Sequence, residues 1–302
     1  MASQRVAMTI RNQKEKYRAG FSVVELLIVI SIIAILIGLL IPAIQRVRMA
    51  ALRQENSNSI RQTVIAVHNF ASTNQDLLPN VDGFIGSRPV FLSVIAAISP
   101  YIEGDSEIPP RLIRFSSDPS LSIATTEPAP PPFGISNELP LQKKATSLAF
   151  NPLVFSRGKF MATAIPDGAS NTMLITDHYG ICGEAIFHWK HLKNECLEPP
   201  KMKRVLCPSG SGQRRATFAD FEMFKDVYPV TASGVTRGSD PVTFQVQPSL
   251  SQCDPRIPQS SLPGGILCGF ADGSIRFFRL GIEESVFWGS VTPDRGESIT
   301  FD

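Results

Sequence analysis

The sequence predicts an α+β protein: a long N-terminal helix, membrane-spanning in its first half, followed by an antiparallel β-sheet with long loop insertions. Three observations predict it. A nearly uninterrupted apolar run fills residues 23–44. An amphipathic stretch continues the helical repeat to about Ala71. Beyond residue 73 the chain is rich in Pro and Gly, and the Asp-Gly pairs at 167–168 and 272–273 are flanked by β-forming residues. The expected organisation is a basic leader (1–20), a transmembrane helix (21–44), an amphipathic spine helix (45–72) and an exported α+β body (73–302) with a Pro-rich loop at 119–140. Composition agrees with a loop-rich body, since 24 of 302 residues are Pro and the aromatics are mostly Phe, 19 against 4 Tyr. A net charge of +2 gives no bulk electrostatic case for nucleic acid or acidic substrates.

From Val23 to Ile44 only Glu25 and Ser31 are polar. Those 22 residues make about 33 Å of helix at ~1.5 Å per residue, enough to cross a hydrocarbon core of ~30 Å once. A buried core helix of that length carries a polar stripe, and this one has none. A cleaved secretory signal has a shorter apolar region and a small-residue site after it, whereas here Gln45-Arg46-Val47-Arg48 follows. The segment is therefore expected to remain in the mature protein. Arg5, Arg11, Lys14, Lys16 and Arg18 against Glu15 favour a cytoplasmic N-terminus, although Arg46, Arg48 and Arg53 stand on the far side. Glu25 is the costly residue, because a carboxylate deep in a bilayer costs ~2.5–3.5 kcal/mol. It is tolerated near the interface, or where a cation answers it. Cleavage between Gly20 and Phe21 would create such a cation, an α-amine four residues before Glu25.

The stretch "GFSVVELLIVISIIAILIGLLIPAI" resembles the prepilin-type cleavage and methylation signal of type IV pilins and type II secretion pseudopilins. The family pattern is a basic leader, Gly, Phe, Glu at the fifth mature position, and an apolar helix; Gly20, Phe21, Glu25 and the helix proline Pro42 stand in those places. The resemblance implies a pilin-like fold. It implies cleavage after Gly20 and N-methylation of Phe21 by a membrane prepilin peptidase/N-methyltransferase, and a role for Glu25 in setting subunit register. The implied partners are that enzyme, further copies or related pilin-like subunits, and inner-membrane lipid, with no nucleic acid. The implied place is a single pass of a bacterial inner membrane, body on the periplasmic side or in a cell-surface filament.

After Pro42, which should bend the helix or open its hydrogen bonds, Met49, Leu52, Ile60, Val64, Val67 and Phe70 recur mostly at helical spacing. Asn56 interrupts the stripe, and His68 reads as a surface or packing residue. "QRVRMAALRQENSNSIRQTVIAVHNFASTNQDLLPN" resembles the segment after the signal in a large bacterial pilin-like family of poorly defined role. Asn58, Ile60, Gln62, His68, Asn69, Phe70 and Pro79 fall in matching places, and a Cys usual there is missing.

In the body, "VFLSVIAAISPYIEG" reads as a short helix stopped by Pro100. "FMATAIPDGASNTMLITD" reads as strand, turn at Asp167-Gly168, strand. "GGILCGFADGSIRFF" reads as a hairpin with a two-residue turn at Asp272-Gly273. That register pairs Phe270 with Ile275 and Cys268 with Phe277, and puts Ile266, Cys268, Phe270, Ile275 and Phe277 on one core face. Both segments resemble stretches of the same pilin-like family. Its usual terminal His is replaced near Leu262, so any role of that His is in doubt here.

Enzymatic signatures are incomplete. Gly168-x-Ser170 approaches a hydrolase nucleophile elbow, but Thr172 stands where the second Gly belongs. Ser156-x-x-Lys159 lacks its companion motifs. Cys182, His188, His191 and Cys196 are metal-capable, yet their spacing is not that of structural zinc sites, and outside the cytoplasm disulfides are the default. Five cysteines (182, 196, 207, 253 and 268) leave at least one unpaired within the chain; the pairing cannot be read, and Cys268 is expected to be a buried thiol. No enzyme and no cofactor is expected. The function expected is that of a structural subunit of a pilus-like or pseudopilus-like filament. The alternative is a single-pass, membrane-tethered extracytoplasmic binding protein.

Overall fold

The protein is described by a computed structural model covering residues 22–81, 84–85, 88–89, 93–102, 111–122, 145–156, 158–183, 185–188, 196–198, 203–205, 212–218, 230–231, 234–235, 243–255 and 257–293. It is α+β, with a long N-terminal helix and an antiparallel sheet in the C-terminal body. The chain divides into two compact units, residues 1–48 and 49–302. Helix α1 (Val23–Thr73) begins in the first and ends in the second, and it continues through Pro42.

In the first unit the apolar side chains of α1 are exposed along their whole length. Both polar side chains of the run are satisfied by α1's own backbone. Ser31 Oγ donates to the Ile28 carbonyl at 2.7 Å, and Glu25 accepts from the amide of Ser22 at 3.0 Å. Internal satisfaction of this kind is what a segment surrounded by hydrocarbon requires.

The second unit is layered. Its main sheet has four antiparallel strands: β1 (Leu148–Phe150), β2 (Met173–Asp177), β8 (Gly265–Phe270) and β9 (Ile275–Arg279), in the order β9-β8-β2-β1. One face takes Ile60, Val64, Val67 and Phe70 of α1 together with the short helix α2 (Val94–Ile98). The other takes Phe287, Trp288 and Val291 of the C-terminal helix α5 (Glu284–Val291). With both faces covered, all six residues of β8 are buried. Beside this lies a second sheet of β3 (Ile181–Cys182), β4 (Ala185–His188) and β5 (Gly212–Arg215), in which β4 and β5 run parallel. The strands β6 (Gln245–Val246) and β7 (Gln259–Ser260) form a parallel pair. Short antiparallel pairs join Phe84–Ile85 to Arg88–Pro89, Cys196–Glu198 to Lys203–Val205, and Val230–Thr231 to Gly234–Val235.

The expected short helix is α2. Ser93 caps it by accepting from the Ala96 amide, and Pro100 sits inside the 3-10 turn that follows rather than beyond it. Of the Pro-rich stretch 119–140, the first four residues form one helical turn, α3 (Pro119–Ser122); the rest lies outside the described residues.

Two strand readings are corrected. Residues 160–165 are not a strand, because Met161–Ala164 form a single helical turn, α4. The Phe160 carbonyl accepts from Ala164 at 2.8 Å, and the Phe160 amide donates to Thr163 Oγ1 at 3.3 Å. Asp167 and Gly168 therefore lie in a turn between α4 and β2, with Gly168 at φ 95°, and not in a hairpin turn. The second hairpin exists, but one residue out of the expected register. Cys268 faces Arg276, and Leu267 faces Phe277. The connection is a three-residue loop, Ala271-Asp272-Gly273, closed by the Gly273 amide on the Phe270 carbonyl, with Gly273 left-handed at φ 83°. Ile275 and Phe277 consequently pack toward α1, while Ile266, Cys268, Phe270 and Phe278 pack toward α5.

Contact between α1 and the sheet depends on Gly269. A Cβ there would stand 2.6 Å from Ile60 Cγ2 and 3.1 Å from Val64 Cγ2. His68 Nε2 donates to the Ala271 carbonyl at 2.7 Å, and the Arg53 guanidinium lies 3.6 Å above the Phe277 ring. The helix is thus held to the hairpin at three levels. Gly269→Ala is expected to cost about 1–3 kcal/mol by overpacking, read as a lower denaturant midpoint of the full chain in detergent. An unchanged midpoint would show that helix and strand separate without strain.

Candidate processing and assembly segment

The start of α1 is built by two side chains. The Ser22 carbonyl accepts the first helical hydrogen bond, from the Leu26 amide at 3.2 Å. Ser22 Oγ accepts from the Val24 amide at 3.3 Å, and Glu25 Oε2 reaches back to the Ser22 amide at 3.0 Å. This is a reciprocal capping box, Ser-x-x-Glu, which satisfies two amides that a helix N-terminus otherwise leaves open. The carboxylate also lies at the positive end of the helix dipole. Glu25 is therefore not a lone acid even in a single chain. The sequence signal for this cap is "SVVE", a Ser three residues before a Glu at the head of the apolar run.

Gly20 and Phe21 lie outside the described residues, immediately before this cap. Pro42 lies within α1, and Gly38 has open space around its α-carbon. Asp272 and Gly273 form the hairpin loop, where Asp272 Oδ1 accepts from the Ser274 amide at 2.8 Å.

Cys182 forms a disulfide with Cys253, 71 residues away, and both pack with Tyr179, Ala185 and Phe187. His188 is buried at the end of β4, His191 lies outside the described residues, and Cys196 opens a two-stranded pair. Among the described residues no group of three or more His, Cys, Asp or Glu is placed to hold a metal ion. Cys268 is a free, fully buried thiol 3.5 Å from Thr176 Oγ1, and burial pushes its pKa up. Of the weak catalytic matches, Ser156 Oγ and Lys159 Nζ both donate to the Leu153 carbonyl, and Ser170 is exposed in the turn before β2.

Residues 16–41 match the prokaryotic N-terminal methylation motif. No curated protein and no solved structure matches the chain. The matched motif is the substrate signal of prepilin peptidase, and with the exposed apolar helix it supports a type IV pilin-like protein with a single-pass membrane anchor. The motif supports a structural role, and pilins, whose signal it is, form multimers.

Proposed function

We propose that the chain is a structural subunit of a type IV pilus-like or type II secretion pseudopilus-like filament, anchored in the inner membrane until it assembles. The observation that carries this reading is the methylation motif at residues 16–41, continuous with a capped apolar helix that opens at Val23. In this reading a prepilin peptidase/N-methyltransferase cuts between Gly20 and Phe21 and methylates the new amine. The basic leader stays on the cytoplasmic side, and the body lies on the periplasmic side. The apolar face of α1 then exchanges lipid for neighbouring copies, or for related pilin-like subunits, and Glu25 exchanges its Ser22 amide for the terminal amine of an adjoining subunit. Resemblance of the "HNF" and "FADGSIRF" stretches to a large bacterial pilin-like family supports the same reading for the body.

N-terminal sequencing and intact-mass measurement of the membrane-extracted protein test it. The expected product begins at N-methylated Phe21. A chain beginning at Met1 or Ala2 would leave a tethered extracytoplasmic binding protein instead.

A further inference from the structure

Two carboxylates are buried in the body, and among the described residues the donors that reach them are hydroxyls and backbone amides. Asp118, just before α3, is 3 % exposed, and Asp177, at the end of β2, is 2 % exposed. Asp118 is well supplied with donors. Its Oδ1 accepts from the amide and hydroxyl of Ser120 at 2.9 and 2.6 Å, and its Oδ2 from Ser147 Oγ at 2.7 Å and the Gly180 amide at 2.9 Å. Asp177 is poorly supplied. Its Oδ2 accepts from Ser260 Oγ at 3.1 Å, and no hydrogen bond of ordinary geometry reaches its Oδ1. Flanking residues extend the cluster to the spine helix: Asn56 Nδ2 donates to Ser117 Oγ, which lies 2.7 Å from Ser261 Oγ. Ser117 and Ser261 are the chain neighbours of Asp118 and of Ser260, so hydrogen bonds reach from α1 to the segments that hold both carboxylates.

We propose that this cluster is a proton-linked latch: the folded body keeps a proton on Asp177, and its loss sets two buried carboxylates against each other where the 117–120 segment, β2 and β7 meet. A bare carboxylate oxygen in a dry interior costs far more than a neutral one, so a folded chain that leaves Oδ1 without a donor favours the acid form. The ionisable groups facing the pair reinforce this. Cys268 on β8 is itself held neutral, and Tyr179 is pushed up to about 12, first by burial and then by Asp118. His178 follows Asp177, but its Nδ1 donates to the Tyr179 carbonyl and its ring stacks 3.9 Å from Phe187. His188 and Arg215 belong to the neighbouring sheet, where they stand opposite each other. Burial raises Asp177 to about 8, against the Ser260 hydroxyl and the Leu267 amide, with Asp118 adding to the rise. Burial also raises Asp118, against its hydrogen bonds.

The direction of the pH effect follows. The folded pKa of Asp177 lies above the unfolded one, so between about pH 4 and 8 the folded state binds the extra proton. The contribution is complete below pH 4, is lost as pH rises, and is gone above about 8. Asp177→Asn keeps the shape and removes the titration.

The experiment is thermal unfolding of the full chain in detergent from pH 4 to 9, wild type beside Asp177→Asn. The Tm of the variant relative to wild type is expected to climb with pH, by about 5 °C or more over this range, and to level off near pH 8. Two curves that stay parallel across the range would overturn the latch. Should Asp177→Asn fail to fold, infrared spectra of the wild type decide: a buried carboxylic-acid carbonyl band present at pH 6 and lost near pH 8 upholds it, and absence of that band at pH 6 overturns it. The outcome does not depend on whether the chain assembles into a filament.

Discussion

Replacing Cys182 and Cys253 together by alanine is expected to lower the stability of the body by about 4 kcal/mol. The bridge closes a loop of 71 residues, and the chain-entropy estimate for a loop of that size is ~4 kcal/mol, at the upper end of the usual 2–4. Geometry makes the estimate apply here. Cys182 ends β3, Cys253 lies in the segment between β6 and β7, and the link packs against Tyr179 and Phe187. It therefore fastens two elements that otherwise share only a small apolar cluster. Denaturant unfolding of the full chain in detergent, with and without reductant, measures the effect. Reduced wild type should fall to the level of the reduced double variant. A loss below about 1 kcal/mol would mean that the intervening chain is already constrained without the bond.

Glu25→Ala is expected to leave processing intact and to reduce filament incorporation roughly tenfold to a hundredfold per junction. A hydrogen bond to a charged group contributes ~1.5–3 kcal/mol, which converts to that range. Within a single chain the carboxylate is held by the Ser22 amide at 3.0 Å. Losing this contact costs the helix start only about 0.5–2 kcal/mol. Ser22→Ala separates the two roles, because it removes the Oγ that accepts from Val24 but leaves the backbone amide for Glu25. It should weaken the cap by about 1 kcal/mol and spare assembly. The measurement is the fraction of Phe21-starting protein recovered in sheared filaments. If Glu25→Ala assembles as well as wild type, capping is the whole role of Glu25.

Much of the architecture was legible because its physics is local. Twenty-two residues with two polar side chains can only be a span or an anchor, and the spacing of Ile60, Val64 and Val67 already marks the face that meets the sheet. What was missed depended on distant partners. The hairpin register slipped because Asp272-Gly273 suits both a two-residue and a three-residue loop. The Ala271 amide donates to the Thr172 carbonyl just before β2, which takes it out of the hairpin ladder. Alternation gave no check, since both faces of β8 are covered. "FMATAI" looked like a strand by composition, but its pairing stops at a single antiparallel bridge from Phe160 to Leu77, and one turn of helix closes on Phe160. Asp118 and Asp177 lie 59 positions apart, and although Asp177 closes the stretch "FMATAIPDGASNTMLITD", nothing in that stretch points to Asp118. Only folding brings Asp118 onto Ser147 and Asp177 onto Ser260.

The pairing of α1 with β8 also sets an order of events in time. Ile60 and Gly269 are 209 positions apart by subtraction, and at roughly 5–20 residues per second a ribosome takes about 10–40 s to cover that distance. Throughout that interval the nascent helix has its future contact face made and its matching strand unmade. A newborn chain must therefore shelter Ile60, Val64 and Val67 by other means until its last quarter emerges. A ribosome stalled before residue 265 would leave a chain that has its anchor and lacks the strand on which its spine closes.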